Sequence, residues 1–398
     1  MTNPKAKLNQ LATQKAKELF PLAKSIFDEA ESDGKEYNSA RMICDLLDEL
    51  NFDVERGVGG LETAFRAVWD NGEGPNIGFL VEYDAVREKG HICGHHLQAP
   101  AGIAAALSLI EVLKDRPYKI TIYGTPAEET FGGKIVMLDN GCFHELDIAL
   151  ATHAAGTRYY IGGDSLAMVS HTVRFQGSSS HAAGAPWLGR SALDAMILTF
   201  TGVEFLREHI HPTSRLHYTV REGTGPSNAV PSEALASVTL RSMDNKDLED
   251  MERRFELVIK GATMMTETTA EISKGLKYLA RFTPASFAEE GYRVMKEAGI
   301  EEPERELQFP GGSTDFGNVS TVVPSALFYV AYCDAASHSI EWYEAGKTPE
   351  ALRCLEDSGK ILAGMAYDLI KDSTLLERIK REFREFMVSS NHGGSSEN

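Results

Sequence analysis

The stretch GHICGHHLQAP, residues 90–100, places His91, Cys93, His95 and His96 within six positions. Cys93 and His95 are two apart, so on extended backbone their side chains point to one side. A thiolate and an imidazole are good ligands for zinc or another divalent transition metal. A second reactive pair, Glu128–Glu129, lies in GTPAEETFGG. On extended backbone such neighbours face opposite ways. One carboxylate can hold an ion while the other faces the substrate, takes a proton from an activated water and returns it to a leaving amine. Plainer readings exist for both: a buried cysteine beside surface histidines, and an acidic pair placed at a helix start by the dipole. A Cys93–His95 thiolate–imidazolium nucleophile is a further alternative. It leaves the glutamates unused, along with His153 in DIALATHAA and His338 in YCDAASHSIEW. A metal site employs all of them.

The elements that must position these residues follow from the apolar pattern. Helical spacing marks 5–30 and 38–50, and short β-rich runs occupy 76–84, 118–124 and 147–155. Helical patterns at 99–114 and about 132–140 separate those runs, so the expectation is an α/β fold with a mostly parallel sheet. Asp84 ends one run, Glu128–Glu129 follow another, His153 ends a third, and His338 follows SALFYVAY, which resumes the pattern after 278. In open α/β sheets the carboxyl ends of the strands form the binding crevice, and four polar clusters converge there. Between 167 and 277 the rhythm changes to βαββαβ, with strands at 167–177, 215–223, 233–243 and 268–276. Helices at 185–210 and 246–263 join them, Pro186 falling in the first turn of the former. The expected division is therefore a catalytic domain of 1–166 and 278–390, an inserted domain of 167–277, and a disordered tail of 391–398.

Composition narrows the function. The chain of 398 residues carries a formal net charge of −18, which disfavours nucleic acid and anionic membranes as partners. Residues 1–30 read as an amphipathic helix rather than a signal peptide, and the longest apolar run, AGIAAALSLI, is too short to span a membrane. Five cysteines without regular spacing read as reduced thiols in a cytoplasmic protein.

The ordered motifs EYDA, GHICGH, PAEE, ATHAA, SSSHAAGAPWLGRSALDA, GTGPSNAVPSEA, GGSTDFGNVS and SHSIEW resemble the two-metal peptidases and amidohydrolases related to aminoacylase. The resemblance covers about 35–375 and is nearest the amidohydrolase branch, with hippurate hydrolase, aminobenzoyl-glutamate hydrolase and the β-alanyl-lysine dipeptidase group. It implies a zinc-peptidase-like catalytic domain and an inserted ferredoxin-like lid that pairs two chains as a homodimer. It further implies one or two divalent ions, zinc or manganese foremost, then cobalt or nickel, on Cys93, His95, Glu129, His153 and His338. Glu128 would be the general base and acid, and His181 would reach the substrate carbonyl. Asn228, Arg241 and Ser313 would contact substrate, with Asp84 orienting a metal ligand. The implied reaction is hydrolysis of an amide in an N-acyl amino acid, dipeptide or aminobenzoyl-amino acid.

Two departures keep other readings open. After CGH the family has Asp or Asn, where this chain has His96, an extra ligand, a packing residue or, as expected here, a residue that supports a ligand from behind or contacts substrate. A charged run from Arg87 to Lys89 replaces a commoner apolar one. The altered loop admits hydrolytic deamination of an aryl amine, and a non-catalytic metal-binding relative is the non-enzymatic alternative. His144, His171, His209, His211 and His217 have no motif support and read as structural or surface residues.

Overall fold

A computed structural model describes residues 4–163, 165–223, 225–305 and 312–392. Among these the strands are β1 (Asp53–Arg56), β2 (Phe65–Asp70), β3 (Asn76–Val81), β4 (Lys119–Gly124), β5 (Ile148–Ala155), β6 (Tyr160–Ile161), β7 (Ala167–Gln176), β8 (Arg215–Glu222), β9 (Glu233–Ser242), β10 (Thr269–Tyr278) and β11 (Ser325–Ala331). They form two sheets, each in its own compact unit. The larger unit comprises 4–163, 281–305 and 318–392, and the inserted unit comprises the described part of 165–280 with 312–317.

In the larger unit the sheet order is β1-β2-β4-β3-β5-β11-β6. The four middle strands β4, β3, β5 and β11 are parallel, and antiparallel strands flank them. The α/β expectation therefore holds, with a mixed rather than a purely parallel sheet. Every residue of NIGFLV in β3 is buried, as a strand covered by helices on both faces requires. The helix Gln98–Val112, QAPAGIAAALSLIEV, fits beneath it because its residues are small. It packs on the helices Pro4–Glu29 and Pro349–Lys371 as well as on the sheet. The first of these helices turns Leu8, Ala12, Ala16, Leu19, Ala23 and Ile26 to the core at three- and four-residue spacing.

β1, β2 and β6 have no counterpart in the sequence reading. β1 and β6 are edge strands of four and two residues, and β1 is largely exposed, so neither carries an apolar run to detect. The expected disordered tail is helical at Asn391 and His392, where Ser373–His392 ends. Its other residues lie outside those described.

The inserted unit has the order β10-β7-β9-β8, all antiparallel. With helices Ala192–Arg207 and Asn245–Thr266 between the strands, this is the ferredoxin-like arrangement. In β7 buried residues alternate with more accessible ones, as expected when one face packs on helices. The helix expected over 185–210 is shorter at both ends. Pro186 opens a separate turn, Pro186–Leu188, and the helix begins only after Ser191, whose hydroxyl accepts a hydrogen bond from the Asp194 N–H. Residues 312–317, assigned from sequence to the returning catalytic segment, group with the inserted unit instead. The Leu166 N–H donates to the Gly312 carbonyl at 3.0 Å, and Arg241 donates to Ser313 at 2.9 Å.

Past β4 the chain enters a single helical turn, Glu128–Phe131, between two left-handed residues, Ala127 (φ 62°) and Gly132 (φ 65°). The Gly132 and Gly133 N–H groups both donate to the Ala127 carbonyl. A Cβ on Gly133 would stand 1.8 Å from the Pro126 carbonyl oxygen, so the turn closes only around glycine. Gly133→Ala is expected to lower the unfolding free energy by about 1–3 kcal/mol. Urea denaturation checks this; an unchanged midpoint would show that the turn relaxes freely.

Candidate metal centre

The loops after β3, β4 and β11 and the C-terminal end of β5 supply the donors. The geometry that gathers them differs from the extended backbone assumed from sequence. Gly94 lies in the left-handed region at φ 87°, and His95 already belongs to the turn His95–Leu97. A Cβ on Gly94 would meet the Ala154 Cβ at 2.7 Å, so a glycine turn against β5 sets Cys93 and His95 beside each other. Glu128 and Glu129 likewise start a helical turn. Neighbours there are separated by about 100° around the axis rather than facing opposite ways.

The donors form overlapping groups. Ligand atoms of Cys93, His95 and His153 lie within 4.8 Å of one another, as do those of Cys93, Glu129 and His338, and those of His95, Glu128 and Glu129. Cys93 Sγ is 3.3 Å from His153 Nε2, and the rings of His95 and His153 meet edge to face with centroids 5.4 Å apart. His153 Nδ1 donates to the Ala154 carbonyl at 2.8 Å, which leaves Nε2 as its lone-pair nitrogen. Asp84 lies 3.1 Å from His95 Nδ1 and turns His95 Nε2 toward the cluster. Its second oxygen accepts the Glu129 N–H at 2.9 Å. His338 joins from an exposed turn with φ 69°, its N–H bonded to the Ile92 carbonyl.

The residues present fit a metal. His95 Nε2 and Glu129 Oε1 are buried without a hydrogen-bond partner among the described residues. Such orphaned atoms are costly unless something else satisfies them. The donor set of thiol, imidazoles and carboxylates suits zinc, manganese and their neighbours. Without a cation, burial pushes the Cys93 thiol up to about 12, with Glu129 and Glu128 adding to the effect and His95 opposing it. Burial also works against a charged His95, but Glu82, Cys93 and Asp84 outweigh it and hold that imidazole well above its ordinary range. Burial, and then the charge of His95, keeps His153 low.

His96 does not sit where a substrate contact would. It is wholly buried, Nε2 lies 2.9 Å from the Gly346 carbonyl, and its ring meets the edge of Phe27. Burial draws its pKa down to about 4. It is a neutral packing residue behind the donors. His91 has the same design: it is buried, with Nε2 3.1 Å from the Ile26 carbonyl. The charged run after Asp84 turns outward, where Arg87 pairs with Asp33 at 2.9 Å.

The remaining expected site residues lie in the inserted unit. His181 is exposed, and its Nδ1 accepts the Ala183 and Gly184 N–H groups at 3.2 and 3.0 Å. In the neutral ring this puts the proton on Nε2. The Asn228 carbonyl accepts the Ala182 N–H at 2.9 Å, and His181 bridges Ala229, so His181 and Asn228 share one locally ordered patch. Arg241 and Ser313 form a second patch through their hydrogen bond.

Sequence reasoning missed Glu82, Gln98 and Lys134, all buried. Glu82 accepts from Lys134 and, at 2.6 Å, from Gln98 Nε2. Its Oε2 is 3.1 Å from His95 Nε2. Burial raises the Glu82 carboxyl, but Lys134, His95 and His153 outweigh it and hold it well below the usual range. The available signal was a glutamate continuing the apolar run IGFLV.

The profile of peptidase family M20/M25/M40 matches residues 68–360. The chain is 36% identical to the Xaa-Arg dipeptidase of Mus musculus over 82% of its length and 78% of that protein. It is 35% identical to one of the p-aminobenzoyl-glutamate hydrolase chains of Escherichia coli, over 63% of this chain and 56% of that one. A dinuclear metal binding peptidase of the M20 family from Bacillus subtilis shares the fold with a TM-score of 0.71, at 16% identity over 90% of this chain and 99% of the other.

Ion binding requires the thiolate, and the free thiol titrates near 12, so a proton must leave Cys93 throughout the neutral range. Affinity for zinc is therefore expected to rise with pH between about 6 and 9, with a slope of log K of about one or more. Chelator competition at several pH values measures it. A flat profile would show that Cys93 is not a ligand.

Proposed function

Because this chain belongs to the M20/M25/M40 peptidase family and is a hydrolase acting on C–N bonds, we propose that it cleaves an amide whose leaving amine belongs to an amino acid. Dipeptides and N-acyl or aminobenzoyl amino acids form the substrate class. The observation that carries the reading is the pair of donor groups sharing Cys93, with Glu128 beside them. Cys93, Glu129, His95, His153 and His338 would hold two divalent ions, zinc or manganese. Bound there, the ions supply polarisation of the carbonyl and acidification of a water.

The protein's own groups do the rest. Glu128 takes the proton of the attacking water and delivers it to the departing amine. Asp84 keeps His95 in the tautomer whose Nε2 lone pair is available. The Nε2–H of His181, fixed by two backbone N–H groups on Nδ1, donates to the developing oxyanion. Arg241, oriented by Ser313, holds the substrate carboxylate, and Asn228 holds a further polar group. Deamination of an aryl amine drew its support from the altered CGHHLQ loop, and the inward-facing His96 removes that support.

The inserted unit would also pair two chains. β8 is a sheet edge whose Tyr218 and Val220 are exposed, and exposed apolar edges are a ready surface for pairing. The free cysteines among the described residues are consistent with a reducing, cytoplasmic setting, and no described helix is long and apolar enough to cross a membrane.

Hydrolysis of a panel of dipeptides, including ones ending in arginine, and of N-acyl and aminobenzoyl amino acids tests the reading, with and without chelator. Chelator-sensitive cleavage is expected. Glu128→Gln should keep its metal but lose about 10²–10⁴-fold in kcat; near-normal turnover would remove Glu128 from the mechanism. His181→Ala is expected to cost about 10²–10³-fold in kcat, and a change confined to KM would assign it to binding alone.

A further inference from the structure

Lys134 is among the largest wholly buried side chains of the protein, only 1% exposed. Long cationic side chains are almost never found so deep unless paired. One partner is Glu82, at the end of the fully buried β3. Gln98 clamps that carboxylate from a second direction: its Nε2 donates to Glu82 Oε2, and its Oε1 accepts the Glu82 N–H at 3.1 Å. Two side chains, one from a helix start and one from the helix after the glutamate turn, thus fix one carboxylate at a strand end.

That carboxylate is aimed at the nitrogen left free for an ion. Asp84 occupies His95 Nδ1, and Glu82 Oε2 stands 3.1 Å from Nε2, which has no hydrogen-bond partner among the described residues. An imidazole nitrogen and a carboxylate oxygen that close need positive charge between or beside them, a proton in the ion-free protein and a cation in the loaded one. A Glu82 oxygen is also within 4.8 Å of one on Glu128. Neither Glu82 nor Lys134 belongs to the donor set described above. Each nonetheless lies close enough to alter what that set binds.

We propose that Glu82 and Lys134 are a positioning pair that sets the cation affinity of the metal centre: Glu82 supplies a fixed negative charge at the His95 ligand nitrogen, and Lys134 offsets part of it. The inference rests on His95 being an ion ligand. The charge arithmetic gives the two partners opposite signs. Glu82→Gln keeps the shape and a hydrogen-bonding oxygen but removes the negative charge while the Lys134 cation stays, so ions are held less strongly. Lys134→Met leaves Glu82 uncompensated, so ions are attracted. A cluster that merely supports the fold would weaken binding in both variants.

The experiment is zinc affinity of the full chain by competition with a chromogenic chelator, together with the thiolate-to-cobalt absorption band of the cobalt-loaded protein. Glu82→Gln is expected to bind zinc about 10–100-fold more weakly and to shift the cobalt band, while Lys134→Met binds more tightly than the parent. The double variant, with neither charge, should fall between the two. Equal affinity in Glu82→Gln and the parent, or weakened binding in both single variants, overturns the proposal. If Lys134→Met does not fold, Glu82→Gln and the double variant decide: the proposal requires the double variant to regain affinity over Glu82→Gln. Cys93→Ala separates the two levels of inference. Zinc binding by the parent that disappears in Cys93→Ala supports the centre itself, whereas a parent without tight zinc removes the centre and this proposal with it.

Discussion

Asp84 holds two segments at once. One oxygen orients His95 and the other accepts the Glu129 N–H, so the loop after β3 and the turn after β4 share a single buried carboxylate. Two strands paired in parallel end side by side, and without such a link their loops would diverge. Most other features of the centre serve this contact. Gly94 and Gly133 let the backbones approach within distances that a side chain would forbid, and the small residues of Gln98–Val112 let the helix lie directly beneath.

The parts of the fold legible in the sequence were those whose burial leaves a pattern. β3, β4 and β5 are apolar runs, and the inserted unit alternates, so their order and type could be read from period alone. β1 and β6 could not, because the first is largely exposed and the second is only two residues long. The overrun of the helix at 192–207 has a specific cause: Pro186 looks like a helix start, and only Ser191, acting as the cap, shows where the helix begins.

For the site, residue types and order were legible while the geometry was not. Cys93, His95, Glu129, His153 and His338 are drawn together as the motifs suggested, but a left-handed glycine and a helical turn do the gathering, where strand alternation was assumed. His96 resembled a substrate contact because it adjoins a ligand, yet the turn directs it to Gly346, 250 residues away. Glu82 and Lys134 are 52 apart. No local pattern reveals a buried ion pair of that separation, and only the fold brings its charges together.

The donors are also spread in a way that bears on how the protein is made. Cys93 and His95 emerge early from the ribosome, then Glu129 and His153, and only after the whole inserted unit does His338 follow. β11, which carries the chain toward His338, pairs with β5 across that insertion. During synthesis the donor set therefore stays incomplete until the segment that follows β11 arrives. Assembly of the five donors is for this chain an event of its later segments, and the strand β11 acts as its timer.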